Sequence, residues 1–316
     1  MKKRSYRTRS LLNLLKMGHC APVVMKTIRD IERAEPEQEW LIRLAAGMPG
    51  GIGNTGFECG GITSPLVLLG LRYSLKDSID GLPLLFYKGH DYIRRFLTAN
   101  RAWRCWDIRG EKNYRLRRCI RAVRHSPELY LAADSNDSRD SIPVERREPY
   151  SRLYSHFAGE GFHCAHAVLR RLSSVIPVDD ELLAGTSGFV GGTVMEGMTC
   201  SSLVAGVMAL GLGMAEIEDS VPRVMKMIVL MKTGGDAFAN RINKFNKIMN
   251  LGNELAQRFS GKFGGTQCRA ITGADFSTRA GAANYVERKT NETCRSIVEW
   301  TACEVLKINR EVRSGD

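Results

Sequence analysis

Residues 47–70 read GMPGGIGNTGFECGGITSPLVLLG and residues 188–211 read GFVGGTVMEGMTCSSLVAGVMALG, one architecture written twice without a gap. Gly47, Gly50, Gly51, Gly56, Cys59 and Gly70 fall on Gly188, Gly191, Gly192, Gly197, Cys200 and Gly211. Such an internal repeat is read before any motif, because missing it misassigns the whole fold. The correspondence extends outward. His19-Cys20-Ala21 matches His163-Cys164-Ala165, and Phe96, Cys105, Ile108 and Gly110 match Phe259, Cys268, Ile271 and Gly273. A last cysteine closes each copy, Cys119 in the first and Cys294 in the second. Eight of the nine cysteines therefore form two sets of four, and Cys303 alone has no counterpart. The chain reads as a tandem duplication of a four-cysteine module.

With 316 residues, two modules of ordinary size can each bury a core without disulfide staples. A hydrophobic content of 43% is globular composition, and the longest apolar run, 203–215, is too short to cross a bilayer. The basic start MKKRSYRTRS resembles the opening of a signal peptide, but the apolar segment behind it is broken by Lys16 and His19 and runs into Cys20. Cleavage there would destroy the first module, so a cytoplasmic location is expected. In that compartment matched cysteines point to metal binding or redox chemistry more than to structural disulfides.

Apolar residues recur near the helical period throughout, and no stretch alternates as a strand does. The expected architecture is all-α: two pseudo-repeated helical-bundle modules, residues 1–133 and 150–316, joined by the polar, proline-bearing linker 134–149. Helices are expected over 11–34, from Glu37 to Ala46, over 84–99 and from Tyr114 to Arg124, where Pro127 limits extension. In the second copy they are expected from Cys164, over 179–186, over 221–259 with a break at Gly234-Gly235, and from about Cys294. Cys20 and Cys164 then lie at helix N-termini, where free N–H groups and the helix dipole lower a thiol's pKa. Cys59 and Cys200 precede buried apolar helices and are flanked by Gly60, Gly61, Ser64 and by Ser201, Ser202, Ala205, which leave room beside the sulfur. Cys105 and Cys268 are expected in short loops closed by Gly110 and Gly273.

The four cysteines of a module lie far apart in sequence, so spacing alone names no metal site; their joint recurrence carries the signal. Inert buried cysteines and disulfides remain alternatives on this basis. The cysteine order, with CGGITS from Cys59 and CSSLVA from Cys200, resembles the redox-active protein family named for its C-GCAxxG-C-C cysteines. The last glycine of the family motif is replaced here by Ser64 and Ala205. The resemblance implies redox function, electron transfer or redox sensing, with an iron-sulfur cluster as the leading cofactor. The implied ligands are Cys20, Cys59, Cys105 and Cys119 in one module and Cys164, Cys200, Cys268 and Cys294 in the other. Structural zinc held by four thiolates and a thiol-disulfide relay are the competing readings. His19, His163 and His166 could suggest mixed ligation, but a histidine beside a helical cysteine points to another face. No Ser-His-Asp triad, phosphate-binding loop or haem attachment motif is present, so an electron carrier or oxidoreductase accessory is expected rather than a stand-alone enzyme.

The net charge of +12 is unevenly placed. Arg94, Arg95, Arg101, Arg104, Arg109, Arg115, Arg117, Arg118, Arg121 and Arg124 surround the last two cysteines of the first module. The expected partner is an acidic redox protein, steered to this face with Trp103 and Trp106 at the contact's apolar centre. Nucleic acid is not expected, because no zinc-finger, helix-turn-helix or aromatic RNA-binding motif accompanies the charge.

Overall fold

The structure, a computed structural model, describes residues 2–32, 39–110 and 116–315. Among the described residues it is helical apart from one short hairpin, as the apolar spacing requires. The first half carries α1 (Lys2–Met17), α2 (Cys20–Glu32), α3 (Trp40–Leu44), α4 (Gly60–Tyr73), β1 (Ser78–Ile79), β2 (Leu82–Pro83), α5 (Leu84–Asn100), α6 (Cys105–Arg109) and α7 (Leu116–Ser135). The hairpin pairs Ser78 with Pro83 and Ile79 with Leu82. The second half carries α8 (Val144–Gly159), α9 (Cys164–Arg171), α10 (Asp180–Thr186), α11 (Ser201–Met214), α12 (Val221–Thr233), α13 (Lys244–Phe263), α14 (Cys268–Thr272), α15 (Arg279–Glu287) and α16 (Thr290–Ser314).

Local chemistry sets several helix ends. The Asp179 carboxylate accepts the Leu182 N–H at 2.8 Å and starts α10, while Gly234, at φ 76°, ends α12 in the left-handed conformation that costs a glycine least. The stripe Ile297, Val298, Thr301, Ala302 and Val305 is buried along α16. One expectation changes here. α7 runs through Pro127 to Ser135, because Ala122, Val123, Tyr130 and Ala133 are buried on both sides of the proline and this packing outweighs one lost backbone bond. The expected starts at Glu37 and Tyr114 lie outside the described residues.

Residues 134–149, expected as a polar linker, are mostly exposed and carry local structure. They hold a 3-10 turn at Arg139–Ser141, bury Ile142 and enter α8 at Val144. Part of their polarity is paired: Lys88 Nζ donates to the Asp134 carbonyl at 2.8 Å, and Asn136 and Ser138 donate to the Asp91 carboxylate.

The compact units do not follow the sequence modules. Unit one comprises residues 1–65, 92–132 and 210–254; unit two comprises 66–91, 133–209 and 255–316. Within unit one, Asn253 Nδ2 donates to the Gly53 carbonyl at 2.7 Å, His19 Nε2 lies 2.8 Å from Asn246 Oδ1, and Asn243 donates to the Met17 carbonyl. Within unit two, His90 Nε2 lies 2.9 Å from the Val194 carbonyl. Close approach requires the repeated glycines: a β-carbon on Gly211 would stand 2.3 Å from the Arg43 carbonyl oxygen, and one on Gly70 2.5 Å from that of Ala184. Each glycine loop is thus backed by a helix from the other sequence copy, α13 in unit one and α5 in unit two.

Candidate functional site: two four-cysteine cavities

Convergence of the cysteines begins with backbone. An isolated antiparallel bridge joins Glu58 to Arg104, and its counterpart joins Thr199 to Gln267. The Cys59 N–H donates to the Trp103 carbonyl at 3.0 Å and the Cys105 N–H to Phe57 at 2.6 Å; the Cys200 N–H donates to Thr266 at 2.8 Å and the Cys268 N–H to Met198 at 2.6 Å. The second and third cysteines of each set are clamped side by side in the same way. The glycine loop beside each clamp is held in left-handed conformations, including Ile52 (φ 50°) and Asn54 (φ 57°) in one copy and Thr193 (62°), Val194 (43°) and Met195 (66°) in the other. Branched residues adopt such angles only when their surroundings enforce them.

Helix starts then aim the sulfurs. Cys20, Cys105, Cys164 and Cys268 are the first residues of α2, α6, α9 and α14, so the latter two expected loops are short helices. Cys59 and Cys200 immediately precede α4 and α11, and Cys119 and Cys294 lie in the opening turns of α7 and α16. Unpaired N–H groups and the positive dipole end favour an anionic sulfur at such positions.

In unit one, Cys20, Cys105 and Cys119 line a cavity of about 100 Å³ with Gly50, Arg109, Val123 and, from the second half of the sequence, Met231, Phe238 and Met249. Cys59 is buried beside them, its thiol pushed well up by burial and then by the neighbouring Cys20 and Cys105 sulfurs. Burial raises Cys20 against the N–H groups of Gly50, Ala21 and Gly60. Cys105 is raised by burial and Cys20, Cys119 is pushed up to about 12, and the Arg109 guanidinium opposes both shifts. Gly60 permits the contact of α4 with α2, since a β-carbon there would stand 2.6 Å from Cys20 Sγ.

In unit two, Cys164, Cys200, Cys268 and Cys294 all line one cavity of about 20 Å³, walled by Phe157, Phe276 and Tyr285. Tyr285 Oη lies 3.3 Å from Cys294 Sγ. Hydrogen bonds from Cys164 and Tyr285 hold the Cys294 thiol below its ordinary value, while Cys200 is pushed up to about 11 by burial and Cys268 well up by burial and Cys200. Ser201 and Ser202 stand where the first copy has Gly60 and Gly61, and the buried Ser202 hydroxyl lies against Cys200, opposing the upward shift of that thiol.

All nine cysteines are free thiols; Cys303 is exposed. Among the described residues no group of three or more His, Cys, Asp or Glu side chains is already arranged to hold a metal ion. The donor set nevertheless fits a cysteine-held anionic group. Three thiols line the first cavity with Cys59 buried beside them, four line the second, N–H groups lie against Cys20, Cys59 and Cys200, and the Ser202 hydroxyl lies against Cys200. The histidines are engaged elsewhere: His19 with Asn246, His163 with the Ser187 carbonyl, and His166 with Ser187 Oγ.

Tyr285 and the α12–α13 wall were not singled out as site elements from the sequence. The available signal was length: both enter where the second copy is longer between cysteines than the first. The basic face is narrower than expected. Arg109 is buried, donating to Asn54 Oδ1 at 3.0 Å, and Arg115 lies outside the described residues.

Each helical unit carries one matched set of four free cysteines, of which three line one cavity in unit one and four line one cavity in unit two. The sequence pattern of the family described as putative redox-active protein (C_GCAxxG_C_C) matches residues 18–131 and 162–308, and the chain belongs to that family. The two matched segments agree with a tandem duplication. No curated protein and no solved structure matches the chain. Among the described residues no helix is long and apolar enough to cross a membrane.

Proposed function

We propose that this redox-active family member transfers electrons, or senses redox state, through one four-cysteine site per module, each holding an iron-sulfur cluster. The supporting observation is that four cysteines, all at or near helix starts, line one cavity in unit two, while in unit one three line a cavity with Cys59 buried beside them. Cys20, Cys59, Cys105 and Cys119 would hold one group and Cys164, Cys200, Cys268 and Cys294 the other. A cluster of this kind supplies one-electron transfer at a potential tuned by N–H donors and burial. The chain's own contribution is to exclude water with Met231, Phe238 and Met249 at one site and Phe157, Phe276 and Tyr285 at the other. Loading requires the raised thiols to lose protons, so affinity falls with falling pH. A cytoplasmic location, where thiols stay reduced, suits this chemistry.

The test is anaerobic purification followed by iron, acid-labile sulfide and zinc analysis with EPR. Iron with sulfide and an EPR signal on reduction supports the proposal; zinc alone replaces it with a structural site. A second reading, thiol-disulfide exchange at Cys164 and Cys294, draws on their mutual hydrogen bond and the lowered Cys294 pKa. Absence of metal together with a disulfide that forms under a small-molecule disulfide oxidant would favour it.

The partner we propose is an acidic redox protein docking on unit one at Arg101, Arg104 and Arg118, beside Trp106, which is 42% exposed. Arg104 extends over the Trp103 ring at 5.0 Å. Replacing these three arginines by glutamate should slow reduction by an acidic ferredoxin-type donor at low salt and much less at high salt. An unchanged rate at low salt removes the partner proposal.

A further inference from the structure

The opening of α7 breaks two rules of helix electrostatics at once. Arg117 and Arg118 occupy its first turn, which contains no acidic residue, although the N-terminal end of a helix already carries partial positive charge. Arg117, Arg121 and Arg124 then follow at i, i+4 and i+7, so like charges stack along one face where alternating signs would stabilise the helix. None of the three has an ion-pair or hydrogen-bond partner among the described residues. α1 adds a fourth guanidinium, Arg7, whose Nη2 reaches Glu128 Oε2 at 3.0 Å. The Nε groups of Arg7 and Arg124 are both buried without an acceptor.

These side chains do not radiate into solvent. Arg7, Arg117, Arg121 and Arg124 line one cleft of about 310 Å³ together with Ile120 and His125. Burial, with Arg7, Arg121 and Arg124 alongside, holds the His125 imidazole below its ordinary value even against Glu128. A single carboxylate does not suffice as the counter-charge: it brings one negative charge, whereas Arg117, Arg121 and Arg124 leave three guanidiniums uncompensated. A compact group with several negative charges and oxygens on more than one side answers both requirements, and planar guanidinium forks match phosphate oxygens in bidentate fashion. The same position in the second copy is built conventionally, with Glu292 in the first turn of α16 and Arg295 paired to Glu160 at 3.3 Å. The unpaired cluster is therefore a property of α7, not of the repeat.

We propose that the cleft between α1 and α7 binds a polyphosphate anion, as carried by a nucleoside di- or triphosphate or by inorganic polyphosphate. This site is separate from Arg101, Arg104 and Arg118, the arginines assigned to the protein partner; Arg121 lines the clefts on both sides of α7. It does not depend on what the cysteines hold.

Isothermal titration of the full chain at low ionic strength with tripolyphosphate, ATP and adenosine tests the assignment. Tripolyphosphate and ATP should saturate at one equivalent and raise the thermal midpoint, and adenosine should not bind. ATP binding more tightly than tripolyphosphate identifies a nucleotide; equal affinities identify the phosphate chain alone as the ligand group. The R117Q/R124Q variant should bind about tenfold or more weakly, while R101Q/R118Q, altered across α7, should bind as the wild type does. R124K, which keeps the charge and loses the fork, should also weaken binding. Non-saturating heats, equal loss in both double variants, or tighter binding of polyglutamate than of tripolyphosphate would overturn the proposal in favour of a diffuse basic surface.

Discussion

The two cysteine cavities share a backbone clamp but differ in what surrounds the sulfurs. In unit one the cavity is about 100 Å³, its walls include the flexible side chains of Met231 and Met249, and a buried arginine, Arg109, is the nearest charge. In unit two the cavity is about 20 Å³, aromatic rings close it, and a tyrosine hydroxyl lies against one thiol. A space of that size holds about one water, so unit two must move side chains to admit anything larger. The clamp repeats because it is made of backbone and glycine. The walls differ where the second copy is longer between cysteines: α12, the loop after it and α13 supply Met231, Phe238 and Met249 to unit one, and the stretch between Cys268 and Cys294 supplies Phe276 and Tyr285 to unit two. Duplicated ligands therefore need not imply duplicated properties. In unit one burial raises the thiols of Cys20, Cys59, Cys105 and Cys119, whereas in unit two the Cys294 thiol is lowered by its hydrogen bonds from Cys164 and Tyr285.

The sharpest way to break the comparison is to separate the sequence copies. Unit one takes residues 210–254 from the second copy, including Asn243, Phe245, Asn246 and Asn253. Residues 1–133 expressed alone should lose cooperative thermal unfolding and bind a hydrophobic dye, because His19 and the Gly53 loop lose their buried partners. A sharp transition in that fragment would show that the first copy is self-sufficient.

Next in size is the effect of removing one cysteine per site. C59S and C200S should each lower iron and sulfide content of the reconstituted protein by about half if the sites load independently, with C59S the slower to load because only the tighter cavity remains. Loss of all iron in either variant would mean that the two sites are coupled.

A smaller and more equal effect is expected at the glycines. Gly51 and Gly192 have φ of 88° and 72°, and β-carbons there would stand 2.4 Å from the Phe57 nitrogen and 2.7 Å from Cys268 Cβ. G51A and G192A should each cost about 2 kcal/mol or more in urea unfolding. A cost confined to one copy would show that the loops, like the walls, have diverged.

The smallest effects are electrostatic. Thiols raised in the folded state favour the protonated form, so their contribution is complete below the ordinary value near 9 and is lost as pH rises toward the folded values of about 11 for Cys200 and 12 for Cys119. The metal-free protein should therefore lose thermal stability progressively from about pH 9 upward, and metal-loaded protein, whose ligands are already deprotonated, should lose less. Y285F removes a donor to Cys294 and should raise that thiol's pKa, seen as thiolate absorbance at 240 nm titrating later; the corresponding absorbance from unit one, isolated in a C294S background, should not move.

Much of this was legible in the chain. The repeat, the helical class, the positions of Cys20 and Cys164 at helix starts and the apolar stripe of α16 all follow from local spacing and from short-range backbone chemistry. Those properties belong to residues within a few turns of one another, so a sequence carries them directly. What anchors residues 134–149 is not legible locally: Asp91, the acceptor for Asn136 and Ser138, is more than forty residues away. The basic face was overcounted for the same reason, since nothing near Arg109 in sequence announces its bond to Asn54.

What the sequence determined by itself is which residues recur and which local structure each adopts: eight cysteines in two matched sets, glycine loops, and helices that begin at the sulfurs. Only the tertiary structure decided that the bridges Glu58–Arg104 and Thr199–Gln267 bring the middle cysteines together, that each unit borrows a helix from the other copy, and that Tyr285 rather than a histidine meets a thiol. The physical reason is that helix formation is governed by contacts a few residues apart, whereas cavity size and thiol pKa depend on burial by segments that are remote in the chain and need obey no periodicity.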